Sequence, residues 1–168
     1  MNLRIGQGID FHRLEKGLKL WLGGIQIPSP KGCVAHSDGD VLIHSICDAL
    51  LGAAALGDIG HHFPDTSQEF KNIDSKILLK RTMEIIREKG FSVVNCDSTV
   101  CLEKPKIAPY IPEMRSVISS ILGIKPEDVS VKATTTEKMG FVGREEGIVA
   151  MAVVLLKHTP VPLRGTAR

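Results

Sequence analysis

One carboxylate and two imidazoles, Asp10, His12 and His44, are the side chains whose types and spacing could do chemistry together. In an extended segment side chains alternate with period two, so Asp10 and His12 fall on one face. His44 lies in the apolar-rich run Val41 to Leu56, which predicts a helix. Three such ligands on rigid elements suit a zinc-like ion and leave a fourth position for a water or a substrate oxygen. Strand-end polar residues and a satisfied helix histidine would account for the same three positions without a metal. Between them stands His36-Ser37-Asp38-Gly39-Asp40, where Asp38 and Asp40 fit substrate binding and helix capping equally well. Asp48, one turn after His44, could orient its imidazole from behind or make a polar contact at the helix edge. The pair His61-His62 has a metal-like look, but adjacent residues point in different directions, and a solvated loop explains it better.

A second stretch, Lys132 to Phe141, places Thr134, Thr135 and Thr136 at a strand end beside Glu137. The hydroxyls and backbone N–H groups could meet phosphate oxygens, and Glu137 could hold a hard cation such as Mg²⁺ together with substrate phosphates. A β-favouring threonine run that ends in a solvated loop reads the same residues more plainly.

The elements that must position these groups follow from periodicity and punctuation. Residues 3–9 and 18–27 read as strands, the latter broken by Gly23-Gly24, and a turn-rich loop over 28–32 delivers the chain to His36. Start signals at Asp38 to Asp40 precede the helix of His44, and Gly57 to Gly60 ends it. A polar, mobile loop is expected over 61–73. A second helix opens at Asp74-Ser75 and closes at Gly90, a long strand covers 91–102, and Pro105, Pro109 and Pro112 postpone a third helix to 113–122. Strands at 129–134 and 147–157 complete an α+β arrangement, a sheet with helices packed on one face. One domain is expected over 1–158, with a disordered tail over 159–168.

Hydrophobic residues at 43% and charged residues at 24% describe an ordinary globular composition. A net charge of +2 and an aromatic content of 4% exclude a basic nucleic-acid track with stacking platforms. The longest apolar run, residues 148–156, is too short to span a bilayer, so no membrane partner is expected. Cys33, Cys47, Cys96 and Cys101 form no C-x-x-C pair and read as buried apolar residues of a reducing compartment, with no secretory segment ahead of them. The expected location is the cytoplasm.

Taken in order, Gly8 to His12, Ala35 to Asp40 with His44, Leu56 to Gly60, Phe63-Pro64-Asp65 and Lys132 to Phe141 resemble the 2-C-methyl-D-erythritol 2,4-cyclodiphosphate synthase family over about residues 3–157. The resemblance implies a homotrimer with active sites between subunits. It implies cyclisation of 4-diphosphocytidyl-2-C-methyl-D-erythritol 2-phosphate with release of CMP, in non-mevalonate isoprenoid biosynthesis. It makes Asp10, His12 and His44 ligands of Zn²⁺, and Glu137 the ligand of a second cation, Mg²⁺ or Mn²⁺. His36 and Thr135 correspond to groups that stabilise the transition state. Asp58 and Gly60 correspond to ribose contacts, and Ile59 between them to a further substrate contact. His36, Ser37, Phe63, Pro64, Asp65, Thr66 and Ser67 correspond to contacts with the methylerythritol phosphate, and Asp10 and His12 to further substrate contacts. Leu102, Glu103, Lys104, Pro105, Lys106, Ile107 and Ala108, with Ala133 and Thr134, correspond to the cytidine side, and Thr136 to a further substrate contact. Phe141 and Arg144 correspond to positions around an apolar cavity on the threefold axis, suited to an isoprenoid diphosphate, although Arg144 could equally pair with Glu145 or Glu146. A mononuclear metal phosphohydrolase is the rival enzyme for the same triad.

Overall fold

A computed structural model describes residues 2–158; the tail expected over 159–168 lies outside the described residues. Strand β1 (Leu3–Lys16) is followed by a small hairpin of β2 (Leu20–Leu22) and β3 (Ile25–Ile27) and by β4 (Lys31–Val34). Helix α1 (Val41–Ala53) leads through a short α2 (Ile59–His62) to α3 (Ser75–Glu88). Then come β5 (Phe91–Cys101), α4 (Ile111–Leu122), β6 (Val129–Thr134), a single turn α5 (Gly140–Gly143) and β7 (Gly147–His158). Five strands form one mixed sheet in the order β4-β1-β7-β5-β6, in which only β5 and β6 run parallel.

Alternation along β1 divides the molecule. Gly6, Gly8, Asp10, His12 and Leu14 face the helices, whereas Leu3, Ile5, Gln7, Ile9 and Phe11 face the other way and are exposed. The same register puts Ile148, Ala150, Ala152, Val154 and Leu156 of β7 under the helices, and Met151, Val153 and Leu155 on the open face. Helix α1 is buried on nearly every side, as an apolar helix between a sheet and α3 must be. Gly6 and Gly8 let it lie directly on β1: a Cβ at either position would stand 2.0 Å from the carbonyl oxygen of Ala49 or Ser45. That close approach carries His44 to Asp10.

Several boundaries differ from the sequence expectation, each for a local reason. Strand β1 continues past Ile9 because β7 pairs with it through Arg13 and β4 pairs with its last residues. The expected loop over 28–32 therefore ends in a strand. Helix α1 stops at Ala53, ahead of the glycines, as the chain turns through Ala55 at φ 58°. Pro112 occupies the first turn of α4, where its missing N–H removes no helical bond. The polar segment 61–73 contains part of α2 and a 3₁₀ turn at Gln68–Phe70, with Phe70 buried. Its end is pinned to the other side of the site by Asn72 N–H donating to His36 O (2.7 Å) and by Asp38 N–H donating to Ile73 O (3.1 Å). No helix among the described residues is long and apolar enough to cross a membrane.

Candidate functional site

Asp10 and His12 leave the helix-facing side of β1, and His44 meets them from the first turn of α1. One carboxylate oxygen, Asp10 Oδ2, lies 3.1 Å from His12 Nδ1 and 3.0 Å from His44 Nδ1. The three ligand atoms fall within 4.8 Å of one another. Ligand bonds of about 2.0–2.1 Å in a tetrahedron would separate ligand atoms by about 3.4 Å. His12 Nδ1 is buried with no hydrogen-bond partner, and His44 Nε2 is already taken by the Ser75 hydroxyl at 2.9 Å. Two ring nitrogens converging on one carboxylate oxygen call for a shared proton or a cation, and this donor set fits a divalent metal ion with an open coordination position. Burial pushes the Asp10 carboxyl up, but the His12 and His44 imidazoles more than offset it and hold it well below the usual carboxylate range. Burial pushes His44 down, and Asp10 outweighs it, so the imidazole stands above its ordinary value.

Beside the triad opens a cavity of about 370 Å³. It brings together His12, His44, His36, Ser37, Ile59, Gly60, Phe63 and Asp65, with Phe70, Ile73 and Leu78 as apolar wall. His36 Nε2 meets Ser67 O at 3.1 Å, joining the polar loop to the segment before α1. Asp58 caps α2 by accepting from His61 N–H (2.9 Å). Pro64 and Thr66 belong to the same loop, where Pro64 O accepts from Ser67 N–H (3.0 Å).

The residues with two readings resolve. Asp40 is fully buried, caps α1 through Ile43 N–H (3.0 Å) and clamps Gly23 N–H (2.9 Å) and Gly24 N–H (2.6 Å) of the hairpin turn. Asp48 accepts from Ile59 N–H (2.7 Å), so it anchors the Asp58 loop and makes no bond to His44. Asp38 accepts from Ser75 N–H (2.9 Å) and from the Ser75 hydroxyl. His62 Nε2 donates to Leu56 O (2.8 Å), and neither it nor His61 joins the triad.

A second, smaller cavity of about 200 Å³ lies at the ends of β5 and β6, lined by Leu102, Glu103, Pro105, Lys106, Ile107, Ala108, Ala133, Thr134 and Thr135. Glu103 Oε1 accepts from Thr136 N–H (3.0 Å), Thr136 Oγ1 (3.3 Å) and Lys138 N–H (3.2 Å). These bonds hold a turn in which Glu137 (φ 53°) and Lys138 (φ 62°) are both left-handed. The Glu137 side chain is exposed, with a long contact from Thr135 Oγ1 at 3.4 Å. Lys104 pairs with Glu145 (3.0 Å). Phe141 packs near Phe11, ring centroids 6.2 Å apart, and Arg144 is paired with Glu146 through two bonds of 3.0 and 2.9 Å.

Within one chain the two groups of candidate residues stay apart. Asp10, Ala150, Val100 and Ala133 are successive register partners across β1, β7, β5 and β6. Three strand steps of about 4.8 Å put Ala133 roughly 14 Å from Asp10. His36 and Thr135 therefore line different cavities. Sequence reasoning did not single out Gly6, Ser75 or the clamping role of Glu103. The repeat of Gly6, Gly8, Asp10, His12 at alternate positions is a usable signal for the first; Ser75 reads in sequence as part of a helix start and nothing more.

The YgbB family model matches residues 3–157. The chain is 57% identical over 157 residues to the 2-C-methyl-D-erythritol 2,4-cyclodiphosphate synthase of Bacteroides thetaiotaomicron, covering 94% of this chain and 99% of that one. Among solved structures, the bifunctional IspDF of Campylobacter jejuni superimposes with a TM-score of 0.90 at 45% identity, covering 94% of this chain and 42% of that one. A 2C-methyl-D-erythritol-2,4-cyclodiphosphate synthase with CDP bound superimposes with a TM-score of 0.85 at 36% identity, covering 92% of this chain and all of the other.

Proposed function

The chain belongs to the YgbB family, and from that premise we propose that it is a 2-C-methyl-D-erythritol 2,4-cyclodiphosphate synthase, a phosphorus–oxygen lyase of the cytoplasm built as a single domain over 1–158. Its substrate is 4-diphosphocytidyl-2-C-methyl-D-erythritol 2-phosphate, and its products are the cyclic diphosphate and CMP. The observation that carries this reading is the convergence of Asp10, His12 and His44 at the edge of the cavity that holds His36 and Ser37.

The 2-phosphate oxygen attacks the distal phosphorus of the diphosphate, a new P–O bond closes the ring, and the bond to CMP breaks. A phosphate monoester with a second pKa of about 6 is already largely ionised at neutral pH, so no protein base is needed to activate it. The obstacle is repulsion between anions. Asp10, His12 and His44 would hold Zn²⁺ and Glu137 would hold Mg²⁺ or Mn²⁺, which supply Lewis-acid and charge-spreading chemistry when bound. His36, oriented by Ser67 O, and Thr135 supply the hydrogen bonds that strengthen as charge moves toward the leaving group. Phe70, Ile73 and Leu78 keep water from one wall of the cavity. The thiols of Cys33, Cys47 and Cys96, pushed up to about 12 by burial, take no part as nucleophiles.

Two observations support a homotrimer with shared sites. The open sheet face carries Leu3, Ile5, Ile9, Phe11 and Val153 in solvent, with Ile5 74% exposed, which is the kind of contiguous apolar surface that another subunit covers. The separation of the two cavities in one chain then leaves a neighbour to bring Thr135 and Glu137 toward His36. On the axis of such a trimer Phe141 would line an apolar cavity for an isoprenoid diphosphate. The Arg144–Glu146 pair would have to open to receive its headgroup.

Incubation of the zinc- and Mg²⁺-loaded protein with the methylerythritol substrate tests the activity. Cyclic diphosphate and CMP in equal amounts are expected; ring-free phosphate products would mean a hydrolase instead.

A further inference from the structure

We propose that Ser75 and Asp38 form a positioning relay that fixes which nitrogen of His44 carries hydrogen and so presents the other to the metal. The proposal rests on reading Asp10, His12 and His44 as a metal site. Its warrant is the direction in which each hydrogen bond must run. Asp38 is an acceptor only: it receives Asp40 N–H (3.1 Å) and the Ser75 hydroxyl on Oδ1, and Ser75 N–H (2.9 Å) on Oδ2. A serine hydroxyl has one proton, and here it is committed to a carboxylate. The Ser75 oxygen therefore turns a lone pair toward His44 Nε2, 2.9 Å away, and that nitrogen must carry hydrogen. A neutral imidazole with hydrogen on Nε2 has its free lone pair on Nδ1, the atom that faces Asp10 Oδ2 and the triad.

The surroundings leave the ring little choice. Ser75 is fully buried and His44 is 9% exposed, so water does not substitute for a lost partner. Ser37 Oγ lies farther from Nε2, at 3.2 Å, and already accepts from Gly39 N–H (3.1 Å). Ser75 also begins α3, and Asp38 lies in the segment pinned to the end of the polar loop, so the relay joins the ligand on α1 to two further pieces of chain. Partners of this kind behind a metal-bound histidine typically contribute 10–100-fold to metal affinity.

The test measures zinc affinity of the full chain by competition with a chromogenic chelator. Ser75→Ala should bind zinc about 10–100-fold more weakly, while the metal-free variant keeps a cooperative melt. Ser37→Ala should weaken zinc less than Ser75→Ala does. Unchanged affinity in a folded Ser75→Ala protein would overturn the relay. Asp10→Asn separates the premise from the proposal: if it too binds zinc normally, the metal reading fails, whereas a large loss there beside no loss at Ser75 sinks the relay alone. Should Ser75→Ala not fold, the unmodified zinc-loaded protein decides. Proton NMR should show a slowly exchanging His44 Nε2–H with a cross-peak to the Ser75 β protons, and a rapidly exchanging proton would overturn the proposal.

Discussion

At the β1–α1 end of the sheet the candidate ligands sit in a prepared frame, and at the β5–β6 end they stand on a turn. His44 is gripped at both ring nitrogens, and Asp10 sits between two imidazoles on a strand paired along most of its length. Glu137, by contrast, follows the last residue of β6 by three, in a left-handed conformation, with its carboxylate in solvent. The first arrangement brings three ligand atoms within 4.8 Å of one another on a paired strand and a buried helix, a frame that suits a metal ion. The second offers one carboxylate and a set of hydroxyls, which suits a hard cation that shares substrate phosphate oxygens and keeps its own waters. On the proposed function, the first end would retain an ion and the second would receive one with the substrate.

The largest effect should come from removing a ligand at the prepared end. His44→Ala should lose bound zinc, measured by elemental analysis, and lower turnover by more than ~100-fold, beyond what loss of an outer partner costs. The melt should stay cooperative, because the core around α1 remains apolar. Near-normal turnover in metal-depleted buffer would erase the contrast between the two ends.

Next in size is a change in the frame itself. Gly8→Ala places a Cβ 2.0 Å from Ser45 O, one residue beyond His44, and backbone cannot move aside as a side chain can. Overpacking of this kind costs about 1–3 kcal/mol, or roughly 2–12 °C in Tm for a chain of this size, and it should carry His44 away from Asp10. Gly52→Ala is the counterpart on the same helix. Its Cβ meets nothing nearer than Gln7 O at 3.8 Å, so the variant should melt at or above the parent temperature. Equal destabilisation by both would mean that the close approach of α1 to β1 does not set the site.

What could be read in the sequence tracks this same division. Asp10 and His12 were legible because period two in a strand is a local rule, and His44 because the apolar run around it marked a helix. Once β1 and α1 are adjacent, those local facts suffice. The spacing of Asp48 from His44 suggested a contact that the fold does not make, because the Asp48 carboxylate is taken by Ile59 N–H from the following loop. Ser75 and Glu103 were opaque for a different reason: their partners are His44 and Asp38 for one, and Thr136 and Lys138 for the other, all more than thirty residues away. No local pattern records such a bond. The family resemblance puts Glu103 on the cytidine side without the reason its turn holds its shape, and it says nothing of Ser75.

At the open end, a smaller and separable effect is expected. Glu137→Gln removes the charge that a hard cation prefers and leaves the shape of the turn. The Mg²⁺ or Mn²⁺ concentration for half-maximal turnover should rise about tenfold, on the order of one charge-assisted contact, with bound zinc unchanged. Zinc lost together with Mg²⁺ response would join the two ends into one site.

The smallest effect concerns the residue that gives the turn its form. Glu137 and Lys138 are consecutive side-chain-bearing residues at positive φ, a conformation that L residues adopt only when their surroundings hold them there. The holder is Glu103, whose Oε1 takes the N–H groups of Thr136 and Lys138 on either side of Glu137. Those N–H groups, with the nearby Lys138 charge, favour the ionised carboxylate and keep Glu103 below its ordinary range. Truncation by Glu103→Ala frees both amides and lets the turn relax, so Glu137 should be presented less often in the geometry that receives a cation. Half-maximal Mg²⁺ should then rise less than in Glu137→Gln. The turn is exposed and no core residue depends on it, so the melting temperature should hardly move. Glu103→Gln keeps a carbonyl oxygen that can accept the same bonds, and it should restore most of the parent Mg²⁺ response. If Ala and Gln behave alike, the charge of Glu103 matters and its clamp does not; if neither changes the Mg²⁺ response, the turn holds its shape without it.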